Sequence, residues 1–138
     1  MERDFIIDEV PELAQELLSQ FDLIPVWLFY GEMGSGKTTL IKALADALQI
    51  EDDVSSPTYG IVHEYQCVRG SIYHLDLFRL QNAKELEILQ LDEIFESACF
   101  TWIEWPQIAL PLIPKPYLQL YLSHASESSR KIRILTTC

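Results

Sequence analysis

The hydrophobic and polar positions of the chain fall into alternating strand-like and helix-like blocks. Phe5 to Ile7 is a short apolar run that predicts a first strand. From Pro11 to Phe21 the apolar positions 13, 14, 17, 18 and 21 form the stripe of an amphipathic helix, with Pro11 suited to its first turn. Pro25 to Tyr30 (PVWLFY) is almost continuously aliphatic and aromatic, which predicts a strand buried on both faces. It runs into Gly31, and Leu40, Ile41, Leu44, Ala45 and Leu48 mark a helix beyond it. Val54 to Thr58 is a loop by composition. Tyr59 to Tyr65 and Ser71 to Phe78 predict two strands joined by a turn at Arg69-Gly70. Ala83 to Phe95, with Leu86, Leu89 and Ile94 among acids, predicts an exposed amphipathic helix. Ala98 to Glu104 (ACFTWIE) predicts a second buried strand with Trp102 in the core. Pro106, Pro111, Pro114 and Pro116 keep the next stretch mostly loop, and Tyr117 to Leu122 and Lys131 to Leu135 close the chain as strands. The pattern predicts a single α/β domain over residues 1–138: a mixed, mostly parallel sheet flanked by helices, with an antiparallel hairpin attached.

The junction after the first buried strand carries the chemistry. Residues 31–38 read Gly-Glu-Met-Gly-Ser-Gly-Lys-Thr and fit G-x-x-x-x-G-K-[ST], in the strand–loop–helix context that a P-loop NTPase fold requires. The glycines let successive backbone N–H groups point at phosphate oxygens, and the helix from Lys37 adds its positive dipole end. In such a loop Lys37 reaches the β- and γ-phosphates and the Thr38 hydroxyl ligates magnesium. Gly31, Met33, Gly34, Ser35, Gly36 and Thr39 complete the expected contacts to a purine nucleoside triphosphate. ATP is expected over GTP, because no N/T-K-x-D segment is present.

A P-loop also needs a carboxylate at a neighbouring strand end for the magnesium shell. Asp76 ends Ile72-Tyr73-His74-Leu75-Asp76 and Glu104 ends the more apolar ACFTWI run, and both remain open for that role. His74 reads as a packed or hydrogen-bonded strand residue ahead of a general base. Trp105, beside Pro106, fits a cap or a partner contact at the mouth of the site. By spacing alone, Thr58 is turn chemistry around Pro57, and Arg130 and Arg133 are surface charges. A small-molecule kinase is the main alternative, but its arginine-rich lid is missing: Arg3, Arg69, Arg79, Arg130 and Arg133 are scattered.

Charge narrows the partners. Ten basic residues against 21 acidic ones leave a formal net charge of −11, with no basic block. A surface that grips nucleic acid must neutralise phosphates, so direct binding to RNA or DNA is not expected; an acidic surface suits protein partners with basic patches, although many acidic proteins are simply soluble. Cys67, Cys99 and Cys138 lack the C-x-x-C spacing of a zinc site and are read as reduced thiols, with Cys99 in the core. No apolar run reaches the roughly 18 residues of a membrane span, and the acidic N-terminus lacks signal-peptide character. A cytoplasmic protein without membrane association is expected.

Taken in order, GEMGSGKTTL, SSPTY, YHLDLFRL, KELEILQLDEIF and WIEWPQ resemble the TsaE family (formerly YjeE) over about residues 26 to 110. The resemblance implies a small ATPase that binds ATP and Mg2+ and turns over slowly alone. Its implied partners are the threonylcarbamoyltransferase TsaD and its companion TsaB, which modify the tRNA adenosine just 3′ of the anticodon. Under the same resemblance Lys37 and Thr38 hold phosphate and magnesium, and Asp76 and Glu104 take metal-centred roles. Thr58 becomes a switch residue, Trp105 a functional aromatic, and Arg130 a basic residue near the nucleotide. Phe78 stands where the family more often has tyrosine, Gln107 where an acid is common, and Asp8-Glu9-Val10-Pro11 where a Thr or Ser approaches the nucleotide.

Overall fold

The two most apolar runs of the chain form the centre of a seven-stranded sheet in the computed structural model, which describes residues 1–51 and 62–138. The predicted loop 54–58, with Thr58, and residues 59–61 of the strand after it lie outside the described residues. The elements are β1 (Glu2–Ile6), α1 (Val10–Phe21), β2 (Val26–Tyr30), α2 (Lys37–Ala47), β3 (Val62–Cys67), β4 (Gly70–Asp76), α3 (Ala83–Leu89), α4 (Leu91–Ser97), β5 (Phe100–Glu104), β6 (Tyr117–His124) and β7 (Ser129–Thr137). Short 3-10 helices cover Ile7–Glu9 and Pro106–Leu112.

The strand order is β1-β7-β6-β2-β5-β4-β3. β6, β2, β5 and β4 form a parallel centre, while β3 joins β4 and β7 joins β6 as antiparallel hairpins, with β1 antiparallel on β7. All five residues of β5 and four of the five in β2 are buried, as strands covered on both faces require. On one face Trp27, Phe29, Phe100 and Trp102 pack under α1 and α2 through Leu13, Leu17, Leu40 and Leu44. On the other, Leu28, Leu75 and Ile103 pack under Leu86, Leu91, Ile94 and Ala109. Burying one such large apolar side chain contributes about 1.5–3 kcal/mol, so the strand ends that carry the site are set on a rigid centre.

The predicted helix over 83–95 is interrupted. Gln90 is left-handed (φ 54°) and divides it into α3 and α4, with the Asn82 side chain accepting from Glu85 N–H at 3.1 Å to start the first. In one continuous helix, at about 100° per residue, Leu91 would point roughly 140° away from Leu86. The break lets both reach the same core. The proline-rich stretch expected as loop holds a 3-10 helix instead, whose tight turns accept the fixed φ of Pro106 and Pro111. β1 starts earlier than its apolar core, because an edge strand pairs through its backbone and tolerates charges such as Arg3 and Asp4, and β7 extends with it and with β6 as the strand between them. All three cysteines are free, and Cys99 packs half-buried at the margin of the core.

Candidate functional site

The P-loop leaves β2 at Gly31 and enters α2 at Lys37, with Gly36 at φ 106° as the helix cap. Gly31 is the tightest position. A Cβ placed there would lie 2.5 Å from the Ser35 hydroxyl and 2.6 Å from the Leu122 carbonyl oxygen. The Gly31 carbonyl accepts a hydrogen bond from Lys37 Nζ at 2.6 Å, and the same ammonium sits 3.7 Å from the centroid of the Trp105 ring. Lys37 is only 5% exposed and has no ion-pair partner among the described residues. Burial lowers its pKa from the ordinary lysine value, and the carboxylates of Glu104 and Asp76 pull it back up. The Ser35 hydroxyl is buried with no hydrogen-bond partner among the described residues.

Asp76 and Glu104 are register partners at the carboxyl ends of adjacent parallel strands. That is the edge at which α/β sheets present their ligand crevices. Leu77 N–H donates to the Glu104 carbonyl at 3.1 Å and so continues the pairing past both acids. Asp76 is half-buried, and Phe78 N–H donates to its Oδ1 at 3.0 Å. Burial raises the Asp76 pKa above the usual carboxyl value; the Phe78 hydrogen bond opposes this and the Glu104 charge adds to it. Glu104 is buried and its Oε2 lies 2.8 Å from His74 Nε2. Trp105 is left-handed (φ 54°) and its ring packs on Phe78 with centroids 4.9 Å apart.

A cavity of about 560 Å3 opens between these groups. Met33, Gly34, Gly36, Lys37, Thr38 and Thr39 form its loop side, and Asp76, Glu104 and Trp105 its strand-end side. Arg130, a surface charge by spacing, lines it too, at a position on β7 paired with Phe5 of β1. Gly31 and Ser35 are not among the lining residues. The sequence reading missed the apolar wall of Phe5, Ile7 and Val10 and the turn residues Glu127 and Ser128. No sequence signal marks the wall; in the structure Ile7 is 71% exposed, an apolar side chain that the core does not account for.

The site's features fit a nucleotide with magnesium. A lysine ammonium lining the cavity at the start of α2, beside a glycine loop, suits a polyanion. The described residues hold no cluster of three or more His, Cys, Asp or Glu for a metal. Asp76 and Glu104 line the cavity with Thr38, and magnesium takes one or two carboxylates and completes its shell with phosphate oxygens and water.

Comparison with known proteins gives the family. The family model for the threonylcarbamoyl adenosine biosynthesis protein TsaE matches residues 7–132. The tRNA threonylcarbamoyladenosine biosynthesis protein TsaE of Borreliella burgdorferi is 40% identical over 94 residues, covering 67% of this chain and 68% of that protein. The protein of the same name from Synechocystis is 37% identical over 112 residues, covering 78% and 70%. The crystal structure of YdiB from Bacillus subtilis superposes with a TM-score of 0.76 at 24% identity over 99% of this chain and 84% of that one, which supports the fold. With the family model spanning nearly the whole chain and these relatives beside it, the chain belongs to the TsaE family of tRNA threonylcarbamoyladenosine biosynthesis.

Proposed function

We propose that residues 1–138 act as one ATPase domain that binds ATP with magnesium in this cavity and hydrolyses it slowly until protein partners join. The observation that carries the reading is Lys37: a buried ammonium at the start of α2, lining a large cavity, whose direct contacts among the described residues are a carbonyl and an aromatic ring. Asp76 and Glu104 act on this charge but form no ion pair with it among the described residues, and the phosphates of a nucleotide would bring negative charge into direct contact with it.

Lys37 neutralises charge on the transferred phosphoryl group, and the backbone N–H groups of the loop orient the phosphate chain. Thr38, Asp76 and Glu104 would hold the magnesium shell. When bound, magnesium supplies neutralisation of the β- and γ-oxygens. The apolar wall of Phe5, Ile7 and Val10 suits the flat face of the adenine base, with Arg130 at the same end. Trp105 covers the lysine and withholds it from water. Thr58 takes a switch role by motif alone.

In the pathway the family serves, the partners are TsaD and TsaB, and the ATPase resets that complex between rounds in the cytoplasm. The chain meets tRNA only through the complex, since its net charge of −11 opposes a direct contact with RNA. No helix among the described residues is long and apolar enough to cross a membrane.

Calorimetric titration of the purified protein with ATP, with and without Mg2+, tests the reading. Saturable one-to-one binding that tightens with Mg2+ is expected. Absence of binding under both conditions would end it.

A further inference from the structure

His74 is fully buried in β4, two residues before Asp76 on the same face of the sheet, and the chemistry above gives it no part. Its Nε2 lies 2.8 Å from Glu104 Oε2. A carboxylate only accepts, so Nε2 carries the hydrogen. The Tyr65 hydroxyl lies 3.4 Å from Nδ1 and 3.2 Å from His63 Nδ1, which leads the chain of contacts to a half-buried ring. With Nε2–H donated to Glu104, Nδ1 faces the Tyr65 hydroxyl, so each ring nitrogen has a hydrogen-bonding partner.

We propose that His74 is the positioning residue of Glu104. Glu104 lines the cavity and gives its Oε2 to His74, so the imidazole fixes the rotamer of a long carboxylate at the place where the magnesium shell would form. The two acids are tethered by different means. Asp76 is short and is held by the backbone N–H of Phe78, whereas Glu104 is met by a side chain from the neighbouring strand. Outer partners of this kind commonly set metal affinity, because they remove the ligand's freedom to turn away. The proposal rests on the nucleotide–magnesium reading above.

Two measurements test it. In the nucleotide-free protein, long-range proton–nitrogen spectra of the 15N-labelled imidazoles should show His74 as the Nε2–H tautomer. An Nδ1–H tautomer would overturn the proposal whatever the nucleotide does. The second compares ATP affinity with and without Mg2+ in His74→Phe and His74→Gln. The Mg2+-dependent gain should fall roughly tenfold or more in His74→Phe and stay within about threefold in His74→Gln, which keeps an N–H donor. Mg2+-free affinity, carried by the P-loop, should hold in both variants. An unchanged gain in His74→Phe, or an equal loss in both variants, would overturn the proposal. Should the phenylalanine variant not fold, the tautomer and the glutamine variant decide. Should the unaltered chain bind no ATP, the function reading fails and this role falls with it, even with the Nε2–H tautomer observed.

Discussion

Gly31→Ala tests the geometry of the P-loop at its tightest point. The added methyl would meet the Leu122 carbonyl oxygen at 2.6 Å and the Ser35 hydroxyl at 2.5 Å, both far inside normal contact. Leu122 lies in the middle of β6, paired with Ile132 of β7, so its backbone cannot withdraw without disturbing the ladder. Ser35 is buried and has little room to turn. The backbone is also unfavourable for alanine, at φ +150°. Overpacking of this kind costs about 1–3 kcal/mol and the strained φ about 1–3 kcal/mol. With an unfolding entropy of about 2.1 cal/mol/K per residue over 138 residues, each kcal/mol lowers Tm by about 3–4 °C. The expected fall is about 7–20 °C. Gly34→Ala separates the terms: its φ is +81°, but an added Cβ meets nothing within 4 Å among the described residues, so it carries the strain alone. Thermal melts of the nucleotide-free proteins, followed by circular dichroism and checked for reversibility, should place Gly31→Ala about 3–10 °C below Gly34→Ala. Equal melting temperatures would refute the packing argument.

Asp76→Asn should stabilise the nucleotide-free protein at neutral pH. Folding raises the Asp76 pKa above 3.8, so the native state binds the extra proton, and stability from this group is lost as pH rises through the folded value. The gain in Tm should therefore shrink as pH is lowered towards 3.8, while Mg2+-dependent turnover drops roughly tenfold or more; a lower Tm at pH 7 would contradict this. A double-mutant cycle of Trp105→Ala and Lys37→Met should give a coupling of about 0.5–2 kcal/mol, the range for a desolvated cation over a ring. Zero coupling would mean that the 3.7 Å contact carries no energy. Filter binding at low salt should show no tRNA affinity of about micromolar or tighter, since few cations are available to neutralise phosphates.

The parts of the site that were legible in the sequence are those whose chemistry is local. The loop from Gly31 to Thr38 is readable because glycine spacing, strand and helix are contiguous, and β2 and β5 because strands buried on both faces must be apolar throughout. Asp76 and Glu104 could be named but not ordered, since the pairing of β4 with β5 is a long-range event. The same holds for Arg130 and the apolar wall: β1 and β7 bring the two ends of the chain together beside the cavity, and spacing says nothing of that. The break at Gln90 was hidden because a polar residue in a left-handed turn lacks the glycine signature; only the shared core of Leu86 and Leu91 demands it. His74 was legible as a hydrogen-bonded residue, but not its partner, which comes from another strand.

The central claim is that the chain is a slow ATPase awaiting partners. Release of inorganic phosphate from ATP should be followed with the purified protein alone, then with TsaB and TsaD added, with Lys37→Ala as the control in both. The account predicts a low Mg2+-dependent rate that rises with the partners and vanishes in Lys37→Ala; a rate that ignores the partners, or survives loss of the lysine, would contradict it.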